Sequence, residues 1–135
     1  MSHPDVDSLE GRLLRYDRLL EVGIGRRTGL ARRLVAAGRS VTALDISDID
    51  APTGVDFVRA DVVTLDPGSL PPVDAVYARR LPPELHRPTA RLASALRADL
   101  VFTTLGTEVP LIDASLEGGP GRTFYVRDWG ESNRV

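Results

Sequence analysis

The 135-residue chain contains no cysteine and no lysine. Without cysteine there are no disulfides, thiolate metal sites or cysteine nucleophiles. His3 and His86 are the only histidines, so a histidine metal site is not expected either. No stretch approaches the roughly 18 consecutive apolar residues of a membrane span. The polar, acidic start, MSHPDVDSLEGR, does not read as a signal sequence. The formal net charge of -2 gives no global attraction for nucleic acid or acidic membranes. What is present is ordinary: 42% hydrophobic and 27% charged residues, and a length that fits one domain over 1–135. A soluble cytoplasmic protein is the expectation. All 17 basic residues are arginine, and aspartate outnumbers glutamate 13 to 6. This bias reads as a GC-rich genome, with a salt-loving source as the other reading.

Strand and helix patterns alternate along the chain. Asp5 or Ser8 can cap a short helix in which Val6, Leu9, Leu13 and Tyr16 recur at helical spacing. Apolar runs at Leu19–Val22, Ser40–Leu44, Val55–Arg59, Val73–Tyr77 and Leu100–Thr104 read as strands, and Thr123–Arg127 as a last one. Thr28 is placed to cap a helix over Gly29–Ala37, and Thr89 one running to about Ala98. RRLPPELHRP reads as a loop, EVPLIDASL as a helical turn, and EGGPGR as a turn. The middle strands are continuously apolar, which indicates a parallel sheet covered on both faces. The expectation is an α/β, Rossmann-like, doubly wound and mostly parallel sheet of about six strands in the order 3-2-1-4-5-6. Right-handed crossovers would bring the strand-to-helix loops to one sheet edge, where ligands bind.

Glycines and acids fall at the ends of successive strands: Glu21 with Gly23 and Gly25, then Asp45, then Asp61. Gly23 allows a sharp turn, and Gly25 lets backbone approach a ligand. Asp45 lies 22 residues beyond Gly23, near the spacing of about 20 for a carboxylate that holds ribose hydroxyls. The dinucleotide fingerprint needs a third glycine at position 28, which is threonine. A nicotinamide site is therefore the less favoured reading.

LLEVGIG…TGLA, VTALDI and DFVRADV together resemble the first three motifs of class I S-adenosylmethionine-dependent methyltransferases, over residues 19 to about 104. More narrowly, EVGIGRR and PPEL make the chain similar to a small archaeal family of uncharacterised, methyltransferase-like proteins. The resemblance implies S-adenosylmethionine as cofactor. Glu21 would sit near its amino group, and Gly23 and Gly25 would line methionine and ribose. Asp45 would hold the ribose hydroxyls and Ile46 would pack on adenine. Asp61 would accept from the adenine amino group, and Val62 would donate a backbone N–H. Each residue also has a plain structural reading: pairing with an arginine, a tight turn, or a cap.

The segment YARRLPPELHRP lacks the Asn/Asp-Pro-Pro-aromatic motif of amino-group methyltransferases, so no catalytic residue is assigned. Methyl transfer by positioning alone remains open. Arg26 and Arg27 follow the first strand, and Arg79 and Arg80 the fourth. Neighbouring strands would set these pairs across the crevice, where arginine forks suit a phosphorylated metabolite or an RNA backbone; pairing with nearby acids is the other reading. His86 is expected in a surface loop, and Tyr77 at a buried strand end. Three functions follow: an S-adenosylmethionine-binding protein with an unknown methyl acceptor, a non-catalytic Rossmann-like binding module, and a nicotinamide-dependent oxidoreductase.

Overall fold

The computed structural model describes residues 7–119 and 123–132. His3, Asp5, Val6 and part of the EGGPGR turn lie outside them. The order of elements is α1 (Leu9–Leu13), β1 (Arg18–Val22), α2 (Gly29–Ala36), β2 (Ser40–Asp45), β3 (Val55–Arg59), β4 (Ala75–Leu81), α3 (Pro83–Ala95), β5 (Asp99–Thr104), β6 (Ser115–Glu117), β7 (Phe124–Arg127) and α4 (Trp129–Ser132). A single 3₁₀ turn, Pro67–Ser69, interrupts the proline-rich stretch before β4. Among the described residues no helix is long and apolar enough to cross a membrane.

One sheet holds all seven strands in the order β3-β2-β1-β4-β5-β7-β6. The first five are parallel, while β7 runs antiparallel to both β5 and β6. The expected six strands in the order 3-2-1-4-5-6 are thus corrected to seven. The extra strand, β6, spans the end of the segment expected to form a helical turn and the first residue of the expected EGGPGR turn. An antiparallel partner needs only a short return, whereas another parallel strand would need a dozen or more residues of crossover.

Side-chain alternation divides the core in two. Leu19, Val41, Ala75 and Val101 face α1 and α2 and pack with Leu13, Leu30 and Leu34. Leu20, Leu44, Val76 and Phe102 face the other way and pack with Leu92 and Ala93 of α3. Ser8 caps α1 by accepting the Gly11 N–H at 3.0 Å. The helix expected after Thr89 begins earlier, at Pro83, so most of the expected loop RRLPPELHRP is the end of β4 and the start of α3. Pro82 and Pro83 occupy the cap and first-turn positions, where a missing N–H costs nothing. His86 is consequently fully buried, not on a surface loop. Its Nδ1 accepts the Leu111 N–H at 3.1 Å, which leaves Nε2 to donate to Leu81 O at 2.9 Å.

β3 is entered through a turn closed by the Val55 N–H on Pro52 O, 3.1 Å. Its third residue, Gly54, has φ +88°, and a Cβ there would stand 2.7 Å from Val35 Cγ1 on α2. A β-branched side chain in a helix has almost no alternative rotamer with which to yield. Gly54→Ala is therefore expected to destabilise the fold by about 2 kcal/mol, combining left-handed strain with overpacking. Urea unfolding checks it; an unchanged midpoint would contradict this packing of turn on helix.

Candidate functional site

The sheet order reverses between β1 and β4, and a cleft of about 460 Å³ opens at the carboxyl ends of β1 to β4. In open α/β sheets this is where ligands bind. Val22, Leu44 and Leu81, all from the α3 side of the core, line it from within. Gly23, Asp45, Ile46, Asp61 and Val62 line it from the loops.

Gly23 and Gly25 take φ of +72° and +55°, and a Cβ built on either meets nothing within 4 Å. Their conformation is what demands glycine, and the space beside them is open. The loop is fixed from β2. Gly23 N–H and Ile24 N–H both donate to Leu44 O, at 2.9 and 3.2 Å. Gly25 N–H donates to Asp45 Oδ2 at 2.8 Å, and Asp45 Oδ1 accepts the Ser47 N–H at 2.9 Å. Each carboxylate oxygen has two lone pairs, so Asp45 keeps one free on each. Asp61 Oδ1 accepts the Val63 N–H at 2.9 Å, and its other oxygen has no partner among the described residues. Ile46 and Val63 are 67% and 54% exposed. Two large apolar side chains left in water beside the same cleft form a surface suited to a flat apolar group.

Glu21 stands elsewhere. It shares the parity of Leu19 and so points toward the α2 side, in register with Ala43 and Tyr77. It is 1% exposed and is not part of the cleft lining. The Tyr77 hydroxyl donates to Glu21 Oε1 at 2.6 Å, and Arg79 Nη2 lies 3.8 Å from Glu21 Oε2. Burial pushes the Glu21 carboxyl above its ordinary range; the Tyr77 hydrogen bond and the Arg79 charge pull the other way. Burial, then the neighbouring carboxylate, pushes the Tyr77 hydroxyl up as well.

The four arginines divide similarly. Arg79 bridges Glu21 and the carbonyl of Arg27, tying the end of β4 to the glycine loop while also lining the cleft. Arg80 is exposed and lines the cleft beside it. The side chains of Arg26, Arg27 and Arg80 form no ion pair among the described residues. The cleft is therefore bipolar, with carboxylates at the β2 and β3 ends and guanidiniums at the β4 end. Val63 and Leu81 were missing from the sequence expectation. The apolar pair after Asp61 carried a signal for the first; the second was hidden by reading the end of β4 as loop. A larger, more open groove of about 1140 Å³ between α3 and β7 shares no residue with this cleft.

The model of an uncharacterised protein family, UPF0146, matches residues 10–129, and the chain belongs to that family. An archaeal relative, a UPF0146 protein of Halobacterium salinarum, is 40% identical over 118 residues, covering 86% of this chain and 92% of the relative. Among solved structures, the chain is similar to a 1,6-didemethyltoxoflavin-N1-methyltransferase of Burkholderia thailandensis, solved with S-adenosylhomocysteine. The TM-score is 0.54 at 18% identity, covering 92% of this chain and 59% of that one. It is also similar to the N-terminal domain of EvdMO1 with bound SAH, TM-score 0.53 at 19% identity, covering 95% of this chain and 68% of that one. The fold is that of the Rossmann-like class I methyltransferases.

Proposed function

We propose that this UPF0146 chain binds an adenosyl ligand of the S-adenosylmethionine type in the strand-end cleft, and transfers its methyl group to a separate acceptor. One observation carries the reading. Asp45 and Asp61 stand at adjacent strand ends with exposed Ile46 beside them, and the space beside Gly23 in the same cleft is open. Asp45 has lone pairs left for two ribose hydroxyls, and a charged acceptor strengthens such bonds. Ile46 offers the adenine an apolar face. Asp61 has an oxygen for the adenine amino group, and the Val62 backbone borders the same ring. Arg79 supplies a cation suited to the carboxylate of the amino-acid tail. Glu21 enters only by anchoring Arg79 from below. When bound, the cofactor supplies an electrophilic methyl on a sulfonium. The chain's part is to hold donor and acceptor in line, which by itself accounts for large rate factors.

A non-catalytic binding module is the second reading. It is favoured by the absence, among the described residues, of an acid–base side chain with open access to the cleft at the β4 end, since Tyr77 is fully buried on Glu21. Both readings share the adenosyl ligand, so ligand choice is tested first. S-adenosylhomocysteine at 100 times its dissociation constant is expected to stabilise the chain by about 2.7 kcal/mol in a thermal-shift series. NAD and NADP are expected to do nothing. Stabilisation by the dinucleotides alone would overturn the proposal.

A further inference from the structure

At the end of β4 the backbone does something costly. Its pairing with β5 slips between Ala78 and Leu81, and within the slip Arg80 adopts φ +52°. A non-glycine residue in this region costs about 1 kcal/mol or more, and persists only where surrounding structure enforces it. Here the enforcement is visible: the Arg80 N–H donates to Thr103 Oγ1 of β5 at 2.7 Å. Bulges of this kind re-aim side chains and recur beside active sites. The residue re-aimed is an arginine that lines the cleft and has no acidic partner among the described residues.

The glycine loop arrives at the same place. The bond from Arg79 to the Arg27 carbonyl holds that loop against the end of β4, the rim of the cleft where Arg80 stands. Arg26 and Arg27, which the loop carries, are exposed, do not line the cleft themselves, and form no ion pair among the described residues. The two helices entering here add to the same sign of potential. α2 has no acid in its first turn and no side-chain cap at Thr28; α3 has no side-chain cap at Pro82, with Glu84 as its one first-turn acid. The acids of the cleft, Asp45 and Asp61, lie at its opposite end. A chain of net charge -2 thus keeps the guanidinium of Arg80, with no acidic partner among the described residues, at one end of a single cleft, beside a loop that carries two more arginines.

We infer that this rim is an acceptor subsite for a small molecule bearing a phosphate group, next to the adenosyl site. The inference rests on the proposed function for the identity of the neighbouring ligand, but not for the anion itself. Guanidinium forks bind phosphate oxygens in pairs. A small molecule is favoured over RNA because the acids at the other end of the cleft interrupt any continuous basic track.

Inorganic pyrophosphate is the probe, titrated calorimetrically into the full chain saturated with S-adenosylhomocysteine. Saturable binding is expected, and Arg80→Gly should weaken it about tenfold, the loss of roughly one charge-assisted contact. Glycine takes φ +52° without strain, so this variant keeps its melting temperature and the loss cannot come from unfolding. Arg26→Gln with Arg27→Gln should weaken binding as well. Absence of saturable binding, or wild-type affinity in Arg80→Gly, would overturn the inference. So would mutual exclusion of pyrophosphate and S-adenosylhomocysteine, which would make the rim part of the nucleotide's own site. A short single-stranded RNA whose affinity falls with salt as if about three or more phosphates were neutralised would replace the small molecule by a nucleic acid. Should the adenosyl ligand fail to bind while pyrophosphate still binds through Arg80, the anion site stands and only the cofactor reading falls.

Discussion

Asp45→Ala is expected to weaken S-adenosylhomocysteine binding by about 100-fold. Two hydrogen bonds from ribose hydroxyls to a carboxylate contribute about 1.5 kcal/mol each at the low end for charged partners, or about 3 kcal/mol together. The same substitution removes the acceptor of the Gly25 and Ser47 N–H groups. Part of the loss therefore comes from a glycine loop no longer held in shape. Asp45→Asn separates the two effects, because one amide oxygen can replace one of those bonds while the charge is gone. Its affinity should fall between wild type and alanine, by about tenfold. Calorimetric titration measures both variants, with urea unfolding as the control for the fold. Affinity unchanged in Asp45→Ala would remove this residue from the site and take the main support of the adenosyl reading with it.

The second large effect concerns stability and its dependence on pH. Tyr77→Phe takes the hydroxyl from Glu21 Oε1 and leaves a buried carboxylate whose remaining partner among the described residues is Arg79 at 3.8 Å. At pH 8 this is expected to cost about 2–3 kcal/mol, as for a buried charged group losing its hydrogen bond. The sign of the pH dependence follows from the direction of the Glu21 shift. Its folded pKa is raised above the unfolded value near 4.5. The protonated form is thus favoured in the folded state, and the stability it contributes is full below about pH 4.5. That contribution is lost as pH rises through the folded pKa. Removing the Tyr77 hydroxyl removes a lowering influence and pushes the carboxyl higher still. The cost of Tyr77→Phe should therefore shrink toward pH 4. It should also shrink in a Glu21→Gln background, where no charge remains to be stranded. Denaturant unfolding of the wild type, both single variants and the double variant at pH 4 and 8 decides this. An equal cost at both pH values and in both backgrounds would show that the hydroxyl matters only for packing.

The first half of the fold was open to sequence reading because its strands are apolar runs stopped by glycine or aspartate. Val22 before Gly23 marks the end of β1, Leu44 before Asp45 marks that of β2 to within one residue, and the two-sided burial of β1 and β2 follows from their lack of alternation. The region after β4 was harder. Pro82, Pro83 and Pro88 all argue against a helix when counted as breakers. The first two stand where no N–H is required, and the third is tolerated inside α3. There, burial of Thr89, Ala90, Leu92 and Ala93 against the sheet outweighs one lost backbone bond. The same proline count hides His86, which α3 carries into the core. Of the residues proposed for the site, Asp45, Ile46, Asp61 and Val62 could be grouped because each sits at or just past the carboxyl end of a strand. Glu21 could not be placed by that rule. It lies inside β1, and strand parity, not proximity to the loop, decides which face it serves.

The pairing of β1 with β4 has a consequence for how the chain comes together. Only Leu19 with Ala75, Leu20 with Val76, and Glu21 with Tyr77 are in register along it. The polar stitches across it among the described residues, such as Arg18 to Asp74, Tyr77 to Glu21, and Arg79 to both Glu21 and Arg27, join residues more than 50 positions apart. This line is a seam between two half-sheets, each of which pairs within itself over shorter stretches of chain. Closing the seam meets the larger loop entropy, which favours pairing within the halves ahead of their union. The cleft exists only once that union is complete, and a molecule resting on both sides of it would act as a clasp.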